Sequence, residues 1–208
     1  MSRRRAITVV SLAAALPRLA VVLVERGDVI GSLPEKSDRF ARTLVESGTF
    51  GFLPGVPSGY TQPLYAFFLA PQYSLFGHSW LSVGLSQTIV AAATAVLVYL
   101  IGERVCSPRV GLLAALLAAL HPYLVWHDVH LNREVLDGFL AALVTLLAVV
   151  ASERATVRLA ALAGAAAGLA ILGNTRLGAL PVLLGAYLAW GARPRLRWIA
   201  IAGSVVAA

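Results

Sequence analysis

The sequence predicts an all-α polytopic membrane protein. Hydrophobic residues make up 59% of the chain and charged residues only 13%, and the mean hydropathy is +0.80. This is more apolar side chain than the core of a soluble domain can bury. The arginines and lysines lie mainly at the ends of apolar runs rather than in one basic patch. The net charge of +7 therefore indicates membrane topology and not nucleic-acid binding.

Six apolar runs are predicted to cross the membrane, because each approaches the ~20 residues that a spanning helix needs. The first follows three arginines and is typical of a retained signal anchor, since its apolar run is longer than that of a signal peptide and no cleavage site follows it. The final apolar stretch from Trp198 has 11 residues, which predicts a truncated seventh span in a chain that is C-terminally truncated. Together the spans form one transmembrane domain over residues 1–208. The six runs are about 6–24, 79–101, 110–126, 135–151, 159–173 and 177–190.

A long polar segment, residues 25–78, separates the first two spans. Its first half contains an amphipathic helical pattern that Gly48 can end. A second short helix is predicted to begin near Pro63 and to be limited by Pro71. Both have the composition of helices that lie along a membrane surface. The apolar face of the first helix comprises Phe40, Ala41, Leu44 and Val45.

The distribution of basic residues orients the spans, because short cytoplasmic loops retain Lys and Arg. The 25–78 segment has no positive excess, and the connectors at 127–134 and 174–176 carry one basic residue each. We therefore expect a plasma-membrane protein with a cytoplasmic N-terminus and with these three elements on the outer, periplasmic side. The opposite set carries ten basic residues and comprises the N-terminus and the loops 102–109, 152–158 and 191–197.

Gly164 and Gly168 form a G-x-x-x-G spacing in an alanine-rich run. Such spacing permits close helix packing. In a chain with many spans, we expect this packing within the chain rather than between two copies. The single cysteine, Cys106, excludes an intrachain disulfide.

Arg18 lies inside the first predicted span, where a charged side chain costs about 2.5–3.5 kcal/mol on insertion. Such a residue either faces a cavity or partner, or lies close enough to the interface to snorkel. Both interpretations are open from the sequence.

Two acidic residues on the outer side are candidates for chemistry. Glu134 opens the fourth predicted span, and a carboxylate at this depth needs a partner. Asp38 lies on the first amphipathic helix, where its spacing alone favours a solvated surface charge. We expect the two acids to face each other across an outer site. Asp137 is explained by an ion pair with Arg133 at i,i+4.

The connector before Glu134 contains His127, Asp128 and His130, residue types that can bind zinc. Their spacing matches no closed zinc site and further ligands are lacking. We therefore predict interfacial polar residues and no metal ligand.

A series of short motifs runs through most of the chain. Asp38 is followed in order by Phe40-Ala41, Glu46-Ser47-Gly48-Thr49-Phe50-Gly51, Pro57-Ser58-Gly59-Tyr60 and Pro63-Leu64-Tyr65. This order resembles the first outer loop of the GT-C glycosyltransferases, and most closely the dolichyl-phosphate-mannose-protein mannosyltransferase-like and RgtA/B/C/D-like family. Gln87 and the run from Gly164 to Arg176 are similar to later segments of that family.

The resemblance implies a GT-C-like bundle and a membrane glycosyltransferase with a polyprenyl-phosphate sugar donor. Transfer would be inverting, to a glycolipid, polysaccharide or protein acceptor on the outer face. It implies that Asp38 is the general base and that Glu134 positions the acceptor or a divalent cation, although many relatives need no metal. Arg18 and Arg176 match positions that hold the lipid phosphate. The other candidate substrate-binding residues are Tyr60, His127, His130 and Arg133.

Two other functions are open. The fold could serve a non-catalytic, lipid-binding membrane scaffold, which the site residues alone do not distinguish from an enzyme. A transporter is less favoured, because transporters place polar residues near the membrane midplane, whereas the charges here gather at the outer rim.

Overall fold

The computed structural model describes residues 1–25, 35–154 and 156–191, and the predicted all-α class is confirmed there. In these three ranges the only β-structure is an isolated bridge between Leu53 and Val56. A 3₁₀ helix at Thr175–Ala179 precedes the last α-helix. The helices are α1 (Arg3–Val24), α2 (Lys36–Ser47), α3 (Pro63–Phe76), α4 (Trp80–Val105), α5 (Pro108–Leu120), α6 (Pro122–His127), α7 (Glu134–Arg154), α8 (Val157–Gly173) and α9 (Leu180–Gly191).

Within the described residues, three helices, α1, α4 and α7, are long and apolar enough to cross a membrane. They coincide with the first, second and fourth predicted spans, which are confirmed as helices of spanning length and composition. Helices α5 and α8 are apolar but shorter, at 13 and 17 residues. The sixth predicted span begins as the 3₁₀ helix and continues as α9, which has 12 residues. The predicted total of six complete spans is not confirmed, and the predicted seventh lies outside the described residues.

The third predicted span is divided into two helices at His121 and Pro122. Helix α5 ends one residue earlier, and α6 has only six residues. The break follows from the backbone, because His121 is extended, at φ −62° and ψ 119°, and a residue before proline disfavours the helical region. As a result, α6 packs against α1.

Helix α2 forms as the amphipathic pattern predicts. It ends at Gly48, which has a left-handed backbone with φ 69° and donates a hydrogen bond to the carbonyl of Leu44. Phe40 and Ala41 on its apolar face are fully buried in one cluster with residues of α3. Protein thus covers Phe40 and Ala41, whereas Leu44 is partly buried and Val45 is 40% exposed.

The prediction that Pro71 ends α3 is wrong, because the helix continues to Phe76. A proline inside a helix removes one backbone hydrogen bond and clashes with the preceding turn. Leu69, Ala70 and Tyr73 on this stretch are buried, and their packing holds the helix together across Pro71.

Helix α4 is central to the bundle, and it packs against α1, α5 and α7. Its contact with α5 is close because of two glycines. A Cβ on Gly111 would lie 2.6 Å from the carbonyl oxygen of Tyr99, and one on Gly102 would lie 2.6 Å from Cα of Gly111. The predicted close packing at Gly164 and Gly168 does not occur among the described residues, since a Cβ at either position would meet no described atom within 4 Å.

Three of the elements that the sequence assigns to the basic side meet at one end of the bundle, and the fourth, the loop 191–197, lies outside the described residues apart from its first residue. Arg3 pairs with Glu103 at 3.0 Å, and Nε of Arg104 lies 3.8 Å from the carboxylate of Glu153. These contacts join the N-terminus, the α4–α5 connector and the end of α7.

The connectors assigned to the outer side meet at the opposite end. Nε2 of His130, between α6 and α7, lies 2.9 Å from the carboxylate of Glu25 after α1. Arg133 donates a hydrogen bond to Gln62, directly before α3, and α3 packs against α8. The three outer elements therefore share one end of the bundle, and the candidate site residues lie there.

Candidate active site

Asp38 is a buried carboxylate that contacts three side chains. Its Oδ1 accepts a hydrogen bond from the Tyr73 hydroxyl at 2.6 Å and lies 2.8 Å from Nε2 of His78. Its Oδ2 lies 3.2 Å from Nε of Arg42, one turn along α2. Only 5% of Asp38 is exposed. The interpretation of Asp38 as a solvated surface charge is therefore wrong.

Helix α2, helix α3 and the turn after α3 each bring one side chain to Asp38, and the local backbone explains each position. Arg42 stands at i,i+4 on α2, so it shares a face with Asp38. Tyr73 lies on the buried face of α3. His78 follows α3 after Gly77, whose φ of 69° is a conformation that glycine adopts without steric cost. This turn sets the imidazole edge-to-face against Tyr73, with ring centroids 4.9 Å apart.

The buried tyrosines of α3 act as hydrogen-bond donors. Burial raises the pKa of Tyr73, and its hydrogen bond to Asp38 raises that pKa further. Burial also raises the pKa of Tyr65, with the charge of Glu35 adding to the effect. Both phenols therefore stay protonated at neutral pH, and Tyr73 remains a donor to Asp38.

Arg18 has a buried partner, so the snorkelling interpretation is wrong. Only 2% of the residue is exposed. Its Nε and Nη2 donate to one carboxylate oxygen of Asp128, at 3.0 and 2.7 Å. Its Nη1 donates to the carbonyls of Ala14 and Ala119, both at 2.8 Å. Of its five N–H groups, one on Nη2 has no partner among the described residues.

A pocket of about 90 Å³ lies beside this ion pair, between α1, α4, α5 and α7. Glu134 lines the pocket and is itself exposed. One guanidinium and two carboxylates line it, so its described charges sum to a negative value when all three are ionised. Burial raises the pKa of Asp128, and the contact with Arg18 opposes that rise. No group of three or more His, Cys, Asp or Glu side chains within the described residues could hold a metal ion.

Buried hydrogen bonds hold the α6–α7 connector in place. Gln87 is fully buried in α4 and donates to the carbonyls of Asp128 and His130, both at 2.7 Å. It also accepts a hydrogen bond from the Tyr65 hydroxyl at 2.5 Å. His130 is buried and faces the carboxylate of Glu25. These contacts fix the side of the pocket that Asp128 forms.

The predicted ion pair between Arg133 and Asp137 is wrong. Arg133 directly precedes α7, and its carbonyl accepts the i,i+4 hydrogen bond from the N–H of Asp137 at 3.2 Å, but its guanidinium makes no ion pair with the Asp137 carboxylate. It donates instead to the side chain of Gln62. Asp137 accepts a hydrogen bond from Asn174 at 2.8 Å. These contacts connect α7 to the start of α3 and to the turn after α8.

The remaining candidates are more accessible. Tyr60 is 65% exposed, and the ammonium group of Lys36 lies 4.7 Å from its ring centroid. His127 is half-buried, with its ring 3.9 Å from that of Tyr123. Arg176 is exposed in the 3₁₀ helix, and its side chain makes no hydrogen bond or ion pair with the described residues.

The structure places the candidates in two groups rather than one. Asp38 contacts Tyr73 and His78 near the start of α4, whereas Arg18 and Glu134 line the pocket. Among the described residues, no hydrogen bond or ion pair joins Asp38 to Glu134. Two ionised carboxylates only accept hydrogen bonds, so this absence does not separate them, and the expectation that the two acids face each other across an outer site stays a prediction.

Sequence analysis missed Tyr73, His78 and the ion pair of Asp128 with Arg18. The only available signal was their polarity inside or beside apolar helices. Their partners lie 35, 40 and 110 residues away along the chain, so tertiary contacts alone reveal them.

Comparison with known families agrees with the resemblance seen in the sequence. A model described as dolichyl-phosphate-mannose-protein mannosyltransferase matches residues 57–208, more than half of the chain. The chain belongs to this family. Membership of this family identifies the chain as a membrane glycosyltransferase that uses a polyprenyl-phosphate sugar donor. The match includes Glu134 and Arg176 and begins after Asp38. No curated protein and no solved structure matches the chain.

Proposed function

We propose that the protein transfers a sugar from a polyprenyl-phosphate donor to a glycolipid, polysaccharide or protein acceptor on the outer face of the plasma membrane, with inversion at the anomeric carbon. Family membership supports glycosyl transfer from a lipid-linked donor. The observation that carries the mechanism is the buried carboxylate of Asp38, which Tyr73 and His78 hold at the end of the bundle where the outer connectors meet.

In the proposed reaction, Asp38 is the general base. Its Oδ1 is occupied by Tyr73 and His78, so the proton of the acceptor hydroxyl goes to Oδ2. The acceptor oxygen forms a bond to the anomeric carbon as the bond from that carbon to the phosphate oxygen breaks. Polyprenyl phosphate leaves with the electron pair. A single displacement of this kind inverts the anomeric configuration.

We assign the lipid phosphate to Arg176. Its side chain is exposed and unpaired within the described residues, and a planar guanidinium can bind two phosphate oxygens at once. Arg18 is 2% exposed and lines the pocket whose described charges sum to a negative value, so we do not assign it to the phosphate. Its main contacts hold Asp128 in the pocket.

We assign one hydroxyl-bearing part of the acceptor to the pocket beside Glu134, which at about 90 Å³ is too small for a whole sugar. The hydroxyl that reacts lies outside this pocket, at Oδ2 of Asp38. A pocket with two carboxylates and one guanidinium disfavours a phosphate and suits hydroxyl donors. Tyr60 and His127 offer accessible rings near the same end of the bundle, and sugars pack against such rings. Arg133 and His130 position the connector that carries Glu134.

The experiment is sugar transfer from radiolabelled polyprenyl-phosphate sugars in membranes that contain the protein. The anomeric configuration of the product is then read by NMR. Transfer from a β-linked donor to give an α-linked product supports the proposal. A product with retained configuration contradicts the single displacement, and membranes that transfer label from none of the donors contradict the enzymatic function itself.

A further inference from the structure

We propose that His78 is a positioning residue for the reaction, and that it makes Oδ2 of Asp38 the oxygen that accepts the proton. This inference rests on the proposed function of Asp38 as general base. It assigns a role to a residue in the turn between α3 and α4 that the sequence motifs do not mark.

Two close partners surround Oδ1 of Asp38. A carboxylate oxygen has two lone-pair sites, and Oδ1 has two close partners, the Tyr73 hydroxyl at 2.6 Å and His78 Nε2 at 2.8 Å. With Nε2 protonated, both partners donate and Oδ1 has no site left for an incoming proton. Oδ2 then remains the only oxygen that can receive it.

The second observation concerns the contact at Oδ2. Nε of Arg42 is 3.2 Å from Oδ2, but this nitrogen makes no hydrogen bond that meets normal geometry within the described residues. Arg42 therefore contributes positive charge near Oδ2 without occupying a lone pair. Both lone-pair sites of Oδ1 are therefore occupied, whereas Oδ2 keeps a site for a proton. His78 contributes to this difference between the two oxygens.

The third observation is that the backbone holds His78 in place. Gly77 has φ 69°, and the N–H of Ser79 donates to its carbonyl at 2.9 Å, which forms a tight turn around His78. The imidazole packs edge-to-face on Tyr73, so it cannot swing freely away from Asp38. Its side chain is 31% exposed, so the burial of an apolar surface does not account for its position.

Among the described residues, few charged and titratable groups lie around His78. They are Asp38 and Arg42 on α2 and Tyr73 on α3. None of them offers a second acceptor to the imidazole, since Tyr73 meets it through its ring and already donates its hydroxyl to Asp38. The hydrogen bond from Nε2 to Oδ1 of Asp38 is thus the polar contact that the imidazole of His78 makes.

Two substitutions separate this role from simple packing. His78→Gln keeps an N–H donor close to the position of Nε2 but removes the ring. His78→Phe keeps a ring against Tyr73 but removes the donor. If His78 positions the base, the Gln variant retains most of the parental kcat and the Phe variant loses it. If His78 only packs, the order is reversed.

The measurement is kcat and KM for sugar transfer at equal amounts of folded protein in the membrane. We expect His78→Phe to lower kcat by roughly ten- to hundredfold, which is the effect of one hydrogen bond to a charged group. We expect KM to stay near the parental value, because His78 contacts the base and not the substrate. His121→Phe, at the exposed junction of α5 and α6, is the matched control and should leave both values unchanged.

The outcomes test the role of His78 and the proposed function separately. A Phe variant as active as the parent, or a Gln variant as impaired as Phe, overturns the role of His78 while the proposed function stands. If the Phe variant does not accumulate, His78→Asn replaces it, because its shorter amide cannot reach Oδ1 and should lower kcat in the same way. Full activity of the Asn variant also overturns the inference. An inactive parent overturns the proposed function, and the role of His78 with it.

Discussion

At the scale of single residues, the two buried charges Arg18 and Asp38 each contact an oppositely charged side chain, Asp128 and Arg42 respectively. Arg18 could be recognised from the sequence as a charge inside a span, because a charged residue stands out in an apolar run. Its partner could not be predicted, because Asp128 lies 110 residues away and sits in a connector with two histidines that suggest other chemistry. Asp38 was ambiguous for the same reason. Helical spacing gives the face of α2 on which it lies, but only the packing of α3 shows that this face is buried.

The Arg18–Asp128 pair should be important for stability. Arg18→Met leaves the Asp128 carboxylate, whose side chain is 15% exposed, without its cation, and removal of one partner of a buried pair costs about 3–5 kcal/mol. Glu153→Gln is the matched control. Its carboxylate is 48% exposed and 3.8 Å from Arg104, and such surface pairs contribute about 0–1 kcal/mol. Unfolding in detergent, followed by circular dichroism, measures both, and equal midpoints for the two variants would refute the role of the buried pair.

At the scale of helices, hydropathy gave the positions of α1, α4 and α7, because long apolar runs leave little choice of structure. Local breaks were harder to predict. Pro122 ends a helix whereas Pro71 does not, and the difference is that the residues beside Pro71 are buried against neighbouring helices. Spacing patterns also misled at the glycines. Gly164 and Gly168 have the familiar spacing, yet the close backbone contact occurs between Gly102 and Gly111, which belong to different helices.

Gly111→Ala should therefore separate α4 from α5. Its Cβ would lie 2.6 Å from two backbone atoms of α4, which cannot move aside as a side chain could, and overpacking of this kind costs about 1–3 kcal/mol. The matched control is Gly164→Ala, whose Cβ meets no described atom within 4 Å. That change should be neutral or stabilise α8 by about 0.5–1 kcal/mol. Thermal unfolding of both variants checks the prediction, and a more stable Gly111→Ala protein would contradict it.

At the scale of the whole molecule, charge counts predicted which of the described connectors share an end of the bundle. The ion pairs of Arg3 with Glu103 and of Arg104 with Glu153 join one set, and the contact of His130 with Glu25 joins the other. Counts of basic residues are sufficient for this prediction, because each span takes the chain to the opposite side of the membrane and alternate connectors therefore share a side. They do not reveal how the outer connectors divide into an Asp38 group and a pocket, since that division depends on side-chain contacts between distant segments.

The orientation of the bundle can be tested with the single cysteine. Cys106 is exposed at the basic end, so a membrane-impermeant maleimide should label it in inside-out vesicles and not in intact cells. In a Cys106→Ser protein, Val56→Cys places an exposed thiol in the polar segment, and it should react in intact cells. The reverse pattern would put the Asp38 group on the cytoplasmic side and contradict the proposed outer site.

The central claim is that Asp38 is the base of a glycosyltransferase. The most direct measurement compares sugar transfer by the parent and by Asp38→Asn, which is nearly isosteric but cannot accept the proton, at equal levels in the membrane. Glu46→Gln, an exposed acid on the same helix, is the control. We predict that the Asn variant loses at least about a hundredfold in kcat, as expected for removal of a general base, while the control keeps parental activity. An Asp38→Asn protein that transfers sugar at the parental rate would contradict the account.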